Sequence, residues 1–342
     1  MPVYNADRFL VESIESILNQ TYTNFEFIII SSNPTEKAKG ILDNYQRRDA
    51  RILVFYQEKK GIAFARNFGC QQAKGEYIAV MDADDISSLN RFEIQITFME
   101  EHPDIGIVGS WADFIDENGT TFKKVRWPTK PFVIGWNLFY LDCLVHVTIL
   151  IRRDILKKLK FYTQADDGFP EDYDLWTRAF FITKIANIPK SLAKYRMHKS
   201  NNSLGLSLET KQFNTQIQYS MIQNLLGEIS QPFLDKILSH DNSSIFNFNP
   251  NINNIQVDLI ETLYRHYINT YSLSNSENKE IQTHISLIIL SYSCSMFQFS
   301  KIKSCSLLIK SLHYLQLTGM KEMILTIGQK AVEIFKQNMS YH

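Results

Sequence analysis

Three carboxylates fall within four positions of this 342-residue sequence, where Asp82, Asp84 and Asp85 close the run Gly75-Glu76-Tyr77-Ile78-Ala79-Val80-Met81-Asp82-Ala83-Asp84-Asp85. Hard oxygen ligands this close repel one another unless a cation or a proton intervenes, and Mg²⁺ or Mn²⁺ is the usual solution. A solvated acidic turn that merely ends a strand would read the same, so the triplet leaves a metal site and a surface turn both open. A second acidic pair, Glu171-Asp172, opens an apolar helical pattern. Enclosed, each charge would raise the other's proton affinity, which suits a general base near neutral pH. Exposed, the two would only complement a helix dipole.

The elements around these residues must position them. Tyr77 to Met81 reads as a strand buried on both faces, and in open α/β sheets ligands collect outside the carboxyl ends of the strands, where the triplet would stand. Asp7 to Gln20 has apolar residues at Leu10, Ile14, Ile17 and Leu18, which is helical spacing. Strands are expected at Phe25 to Ile30 and Arg51 to Tyr56, and helices at Thr35 to Arg48 and Ile62 to Gln72. This alternation predicts a doubly wound, mainly parallel central sheet with helices on both faces. A helix near Leu89 to Glu101 and a strand at Ile105 to Val108 follow. Beyond Ser110 the rhythm changes to a hairpin around Asn118-Gly119, a helix at Val133 to Leu141, a strand at Val147 to Ile151, a helix at Tyr173 to Phe181 and a strand near Leu192 to Met197. Past Ser203 only helices are expected, over Glu209 to Ile229, Ile255 to Tyr271, Glu280 to Phe297 and Lys321 to Lys336, with Asn- and Ser-rich breaks at Asp241 to Asn254 and Ser272 to Asn278. The division expected is residues 1–204 for the α/β domain and 205–342 for an all-α C-terminal extension.

Lys plus Arg equals Asp plus Glu at 36 each, so no global field favours nucleic acid and partners must be argued locally. Cys70, Cys143, Cys294 and Cys305 lie far apart in no metal-ligand spacing, which suits reduced thiols. The start lacks the basic and apolar regions of a signal peptide, and Ile285 to Phe297 is too short and too serine-rich to span a membrane. A cytoplasmic protein, with peripheral contact at the cytoplasmic membrane face as an allowance, is the expectation.

Pro2-Val3-Tyr4-Asn5, Leu18-Asn19-Gln20-Thr21-Tyr22, Lys60-Gly61-Ile62-Ala63-Phe64-Ala65-Arg66-Asn67-Phe68-Gly69, Met81-Asp82-Ala83-Asp84-Asp85 and Pro170-Glu171-Asp172-Tyr173-Asp174-Leu175-Trp176-Thr177-Arg178 occur in this order. Together they resemble the family-2 glycosyltransferases of the GT-A fold, over roughly Met1 to Ser203. The resemblance implies transfer of a sugar from a nucleotide-diphosphate donor, a UDP-sugar, to an acceptor hydroxyl, with inversion through one in-line displacement. It implies Mn²⁺ or Mg²⁺ offsetting the diphosphate charge, on Asp84 directly, with Asp82 on the ribose or the metal and His198 as a third ligand or a phosphate contact. It implies Asp172 as catalytic base beside Glu171, and a donor pocket of Pro2, Tyr4, Ser32, Arg66, Asp82, Ala83 and Asp84. Arg66 would clamp a phosphate or the base edge, and Pro2 with Tyr4 would floor the uracil ring. Asp85 would orient its neighbour. The alternatives for Arg66 and His198 are a surface helix charge and a structural histidine. His146 falls under an acceptor pocket by the same reasoning. Trp111, Trp127 and Trp136 are either sugar platforms or core aromatics. A glycan or lipid-linked acceptor, cell-surface polysaccharide or glycoconjugate synthesis, and a tail that docks on a membrane or forms a homodimer complete what the resemblance implies.

Two departures from the family pattern stand out. The first strand is shortened or missing, with Pro2-Val3 almost at the start. After Phe25 to Ile30, Ser31-Ser32-Asn33-Pro34-Thr35 replaces the family's Asp-Asp-Gly-Ser, so a hydroxyl or amide takes the place of a carboxylate at the base, at a loss of roughly 1 kcal/mol or more. These departures motivate a second reading, a catalytically impaired remnant that serves as a binding or scaffold protein. An aspartyl-phosphate phosphatase fits poorly, because Ile86 occupies the place of the Thr or Ser that chemistry needs.

Overall fold

The computed structural model describes residues 1–4, 8–58, 60–165, 168–198, 207–239, 245–246, 251, 253–296 and 301–314. In chain order the elements are β1 (Pro2–Val3), α1 (Leu10–Leu18), β2 (Phe27–Ser32), α2 (Glu36–Arg48), β3 (Ile52–Gln57), α3 (Ile62–Gln72), β4 (Tyr77–Ala79), β5 (Ile86–Ser87), α4 (Arg91–Glu101), β6 (Ile105–Ile115), β7 (Thr121–Val125) and α5 (Pro131–Asn137). A 3₁₀ turn (His146–Thr148), β8 (Leu150–Arg152), α6 (Arg153–Lys158), α7 (Glu171–Phe180) and β9 (Lys184–Arg196) follow. The remaining elements are α8 (Leu208–Leu226), α9 (Gln231–Leu238), α10 (Asn253–Thr270), α11 (Asn275–Met296) and α12 (Lys301–Tyr314). The expected helix at Lys321 to Lys336, Cys294 and Cys305 as side chains, and most of the Asp241 to Asn254 break lie outside the described residues. The chain divides into two compact units, Met1–Ile217 and Gln218–His342.

All six residues of β2 are buried because both faces of its sheet are covered. On one face Phe27 and Ile29 join Leu10, Ile14 and Ile17 of α1 and Ala38 and Leu42 of α2. On the other, Ile28 and Ile30 meet Ala65 and Phe68 of α3. Gly69 sits where a Cβ would stand 3.3 Å from Ile30 Cγ1, so glycine lets α3 approach β2. Thr35 caps α2, its Oγ1 accepting from the Ala38 amide at 3.0 Å. Strands β1, β2 and β3 are parallel neighbours, and the two-residue β1 sets Pro2 opposite Ile30 and Val3 opposite Ser31.

The second sheet runs β4-β8-β6-β9-β5, with β7 on β6. Parallel pairing here is confined to β6 with β9, and the other pairs are antiparallel. The central strand of the acidic run is shorter than its apolar pattern predicts, Tyr77–Ala79, and half-buried at both ends, while Val80 and Met81 continue buried as extended chain. Strand β9 is longer than expected. Its register on β6 steps from Ser110 opposite Ile188 to Trp111 opposite Ser191, so the skipped pair on β9 is Pro189-Lys190. A bulge accommodates the missing proline N–H and keeps both halves in one strand.

Within the C-terminal unit, Leu234, Ile237, Val257, Ile260, Leu263, Tyr267, Ile281, Ile285 and Ile289 are buried. Two serines of α11 are interior: Ser286 Oγ donates to the Ser311 carbonyl at 2.8 Å and Ser293 Oγ to the Ser304 carbonyl at 2.7 Å, fastening α11 to α12. No helix among the described residues is long and apolar enough to cross a membrane.

Candidate active site

The residues Asp82 to Asp85 form the turn between β4 and β5, and β5 pairs antiparallel with the end of β9 through Ile86 opposite Lys194. That register brings the residues after β9 back beside the turn. His198 Nε2 lies 2.9 Å from Asp84 Oδ2, with the two side chains 15% and 26% exposed, so both reach solvent from a sheltered wall. Asp85 points the other way. It is 1% exposed, and its Oδ1 accepts from the Arg196 amide at 2.7 Å. Burial, then the neighbouring Asp82 charge, raises the Asp84 carboxyl above the usual carboxylate range against the pull of His198. Burial with Asp84 and Asp82 raises Asp85 much further. Ala83 turns its methyl into the core, which leaves only its backbone to the site.

Arg66, in α3, links this turn to the second acidic pair. Gly61 opens α3 with φ 89°, a left-handed conformation that glycine adopts without strain. Five residues later the Arg66 side chain is only 7% exposed, its Nη2 is 3.1 Å from Asp82 Oδ1, and its Nη1 donates to Glu171. It is therefore no surface helix charge. Burial opposes the guanidinium charge, but Asp82 and Glu171 outweigh it and hold the group firmly protonated. Burial likewise works to raise Asp82, yet Arg66 prevails and the carboxyl stays low. Glu171 is raised instead, by burial first and then by the adjacent Asp172 against Arg66. Each carboxylate thus has a distinct balance, and an arginine fork shared between two acids fixes both.

Glu171 and Asp172 are the first two residues of α7, and the Asp172 carboxylate accepts from the Tyr173 amide at 2.8 Å. The Tyr173 hydroxyl donates to the Leu138 carbonyl at 2.7 Å and ties α7 to the end of α5. His146 stands on the same side. Its Nε2 is 3.0 Å from the Tyr162 hydroxyl, and burial, followed by Arg66, lowers its pKa to about 4. Asn67, next to Arg66, pins that tyrosine by a two-way bond, Nδ2 to the Tyr162 carbonyl at 2.8 Å and the Tyr162 amide to Oδ1 at 2.9 Å.

Asp142, Tyr162 and Arg196 were not foreseen from sequence. Asp142 lies between α5 and the 3₁₀ turn, its Oδ1 accepts from the Leu144 amide at 2.9 Å, and burial and then the charge of Asp172 raise it well above the usual range. A lone Asp in Leu141-Asp142-Cys143 carries no pattern that would mark it. Of the tryptophans, Trp136 is fully buried core, and Trp111 donates its indole N–H to the Trp127 carbonyl at 2.9 Å beneath the Arg126 guanidinium.

Tyr4 follows β1 and is 48% exposed, while Ser32 ends the neighbouring β2 and its Oγ accepts from Gln57 Nε2 at 3.3 Å. Ser31 Oγ is buried and has no hydrogen-bond partner among the described residues.

A divalent cation fits the donor set at one point. Asp84 and His198 supply an anionic oxygen and an imidazole nitrogen from two different loops, 2.9 Å apart. Among the described residues no group of three His, Cys, Asp or Glu is poised as a metal cluster, and the Asp82 carboxylate is engaged by Arg66. The remaining positions of such a cation would go to the substrate and water, as is usual for Mg²⁺ on phosphates.

The family model described as glycosyl transferase family 2 matches residues 1–160. An uncharacterized glycosyltransferase of Methanocaldococcus jannaschii is 39% identical over 209 residues, 60% of this chain and 71% of that one. The O-antigen biosynthesis glycosyltransferase WbnJ of Escherichia coli is 34% identical over 206 residues, 59% of this chain and 79% of that one. In fold, S. aureus TarS 1-349 in complex with UDP-GlcNAc is similar with a TM-score of 0.56 at 15% identity, over 91% of this chain and 87% of that one. The mannosyltransferase PcManGT of Pyrobaculum calidifontis, in complex with GDP-Man and Mn²⁺, has a TM-score of 0.50 at 12% identity, over 94% and 86%.

Proposed function

This chain belongs to glycosyl transferase family 2, a GT-A-fold enzyme family, and we propose that it moves a sugar from a UDP-sugar to an acceptor hydroxyl with inversion at the anomeric carbon. The observation that carries the reading is Arg66, whose one guanidinium joins Asp82 of the acidic turn to Glu171 of α7 and so brings the two acidic segments together. In the displacement Asp172 accepts the proton of the acceptor hydroxyl, the acceptor oxygen bonds to the anomeric carbon, and the bond from that carbon to the diphosphate breaks. Asp172 sits at the start of α7 with its carboxylate oriented by the Tyr173 amide. Asp84 and His198 would hold a divalent cation, Mn²⁺ or Mg²⁺, with Asp82 nearby on the ribose side. When bound, the cation offsets charge on the departing diphosphate.

Support for a nucleotide sugar comes from the donors held by the TarS and PcManGT structures, and support for a divalent cation from the Mn²⁺ in the second. The O-antigen relative supports a role in cell-surface polysaccharide or glycoconjugate synthesis, with a glycan or lipid-linked acceptor. The residues Ser31-Ser32-Asn33 at the end of β2 favour a second reading, an impaired remnant that binds without turnover. A screen of UDP- and GDP-sugars for released nucleoside diphosphate, with and without Mn²⁺, separates the two. Release that needs metal and falls at least a hundredfold in Asp172→Asn supports the transferase. Undiminished release in that variant means another group is the base, and failure of every nucleoside diphosphate to bind overturns both the donor and the cation reading.

A further inference from the structure

Two buried arginines grip the backbone around the acidic turn. Arg91, fully buried at the start of α4, donates from Nη2 to the carbonyls of Val80 and Ile149, each at 3.0 Å. Arg196, 2% exposed at the end of β9, has the wider reach. Its Nε donates to the Asp84 carbonyl at 2.8 Å, its Nη1 to the carbonyls of Asp116 and Glu117 at 3.3 and 3.4 Å in the turn between β6 and β7, and its Nη2 to Glu12 of α1 at 2.5 Å. Its own amide donates to Asp85 Oδ1, and the Asp85 carbonyl accepts from Ser13 Oγ on α1 at 2.7 Å. The guanidinium carbon lies 4.4 Å from the centre of the Phe9 ring, and that ring is 5.4 Å from His198.

Arg196 therefore fixes the backbone of Asp84 directly and, two residues upstream of His198, fixes the strand end that carries the other member of the pair. We propose that Arg196 and Asp85 form a clamp that sets the separation of Asp84 from His198 and thereby the affinity of that pair for a divalent cation, touching neither the cation nor the substrate. The proposal rests on the reading that Asp84 and His198 hold the cation. A planar fork with five donors can serve carbonyls on two loops and a carboxylate on a helix at once, which the single ammonium of lysine cannot do. A positioning role also accounts for Glu12, which is 53% exposed and anchors the fork from the solvent side.

The test is Mn²⁺ binding to the full chain, followed by the electron paramagnetic resonance signal of free Mn²⁺, for wild type, Asp84→Asn, Arg196→Lys and Glu12→Gln, with thermal melts and metal-free UDP calorimetry alongside. Asp84→Asn is expected to abolish binding. Arg196→Lys is expected to weaken it about 10- to 100-fold, the usual loss when an outer partner of a metal ligand is removed, and Glu12→Gln a few-fold in the same direction. Metal-free UDP affinity is expected to stay at the wild-type value, which a general loosening of the fold would not allow. Where Arg196→Lys melts like wild type, unchanged Mn²⁺ affinity in it overturns the clamp; where it does not fold, unchanged affinity in Glu12→Gln does so. If Asp84→Asn binds Mn²⁺ as wild type does, the cation reading itself falls and the clamp with it, a pattern distinct from failure of the clamp alone.

Discussion

The Arg66 guanidinium and the Asp82 carboxylate meet at 3.1 Å, and the other nitrogen of the same fork is taken by Glu171, 105 residues further along the chain. With Arg66 at 7%, Asp82 at 24% and Glu171 at 14% side-chain exposure, little water is available to replace a lost partner. Arg66→Met is expected to lower stability by roughly 3–5 kcal/mol, the cost of leaving buried charge uncompensated. Arg66→Lys should recover part of this while losing the two-way geometry. Urea unfolding of the two variants at pH 7 measures the order; equal midpoints for wild type and Arg66→Met would mean the fork carries no structural load.

The parts of the fold legible from sequence are those written locally. Phe27 to Ile30 is an unbroken apolar run because α1, α2 and α3 cover both faces of its sheet, and the hairpin at Asn118-Gly119 is announced by a residue that sits at φ 86°. Strand β9 was half-hidden because Pro189 reads as a stop, whereas the bulge on β6 absorbs it. That Ser286 and Ser293 of α11 are interior is not legible, because their partners, the Ser311 and Ser304 carbonyls, lie on another helix. In the candidate site, Asp82, Asp84, Arg66, Glu171, Asp172 and His198 are named through motifs. Their pairing could not, since an arginine's choice between a phosphate and two carboxylates is a tertiary matter. Asp142 and Arg196 carry no local signal at all.

His146 gives a pH dependence with a definite sign. Burial and Arg66 lower its pKa from the ordinary 6.5 to about 4, so between these values the unfolded chain binds a proton that the native state refuses. The stabilisation is complete above about pH 6.5 and is lost as pH falls toward 4, by on the order of 1–2 kcal/mol after allowance for solvent screening. The raised carboxyls of Asp84, Asp85, Asp142 and Glu171 slope the opposite way, which makes the comparison with a variant essential. Wild type is expected to lose stability relative to His146→Gln as pH falls through this window. Parallel melting curves for the two from pH 4 to 7 would mean that His146 does not titrate there.

Asp142 predicts a gain of stability. A carboxyl raised by burial and by Asp172 keeps its proton in the native state at pH values where the unfolded chain has released it, so folding is penalised increasingly above the ordinary Asp range. Asp142→Asn keeps the acceptor for the Leu144 amide and removes the charge. It is expected to be more stable than wild type by about 1 kcal/mol at pH 7 and equal to it near pH 3.5. Thermal melts at the two pH values check this, and a loss of stability at pH 7 would instead assign Asp142 a favourable partner.

Metal binding should be readable in stability as well as in turnover. A ligand that binds only the native state adds about 2.7 kcal/mol at a hundredfold excess over its dissociation constant, which for a unit of this size is a rise of roughly 5–10 °C in melting temperature. Mn²⁺ is expected to produce such a rise in wild type, EDTA to reverse it, and Asp84→Asn to abolish it. Asp82→Asn is expected to keep part of the Mn²⁺ response, because its carboxylate is already committed to Arg66, and to lose stability without metal as that pair weakens. Protons compete for the same site: the Asp84 carboxyl is raised by burial and by Asp82, so the Mn²⁺-induced rise should shrink as pH falls toward the carboxylate range, where the ligand oxygen is protonated. A rise that is the same at pH 5 and pH 8, or that survives in Asp84→Asn, would place the cation on other residues.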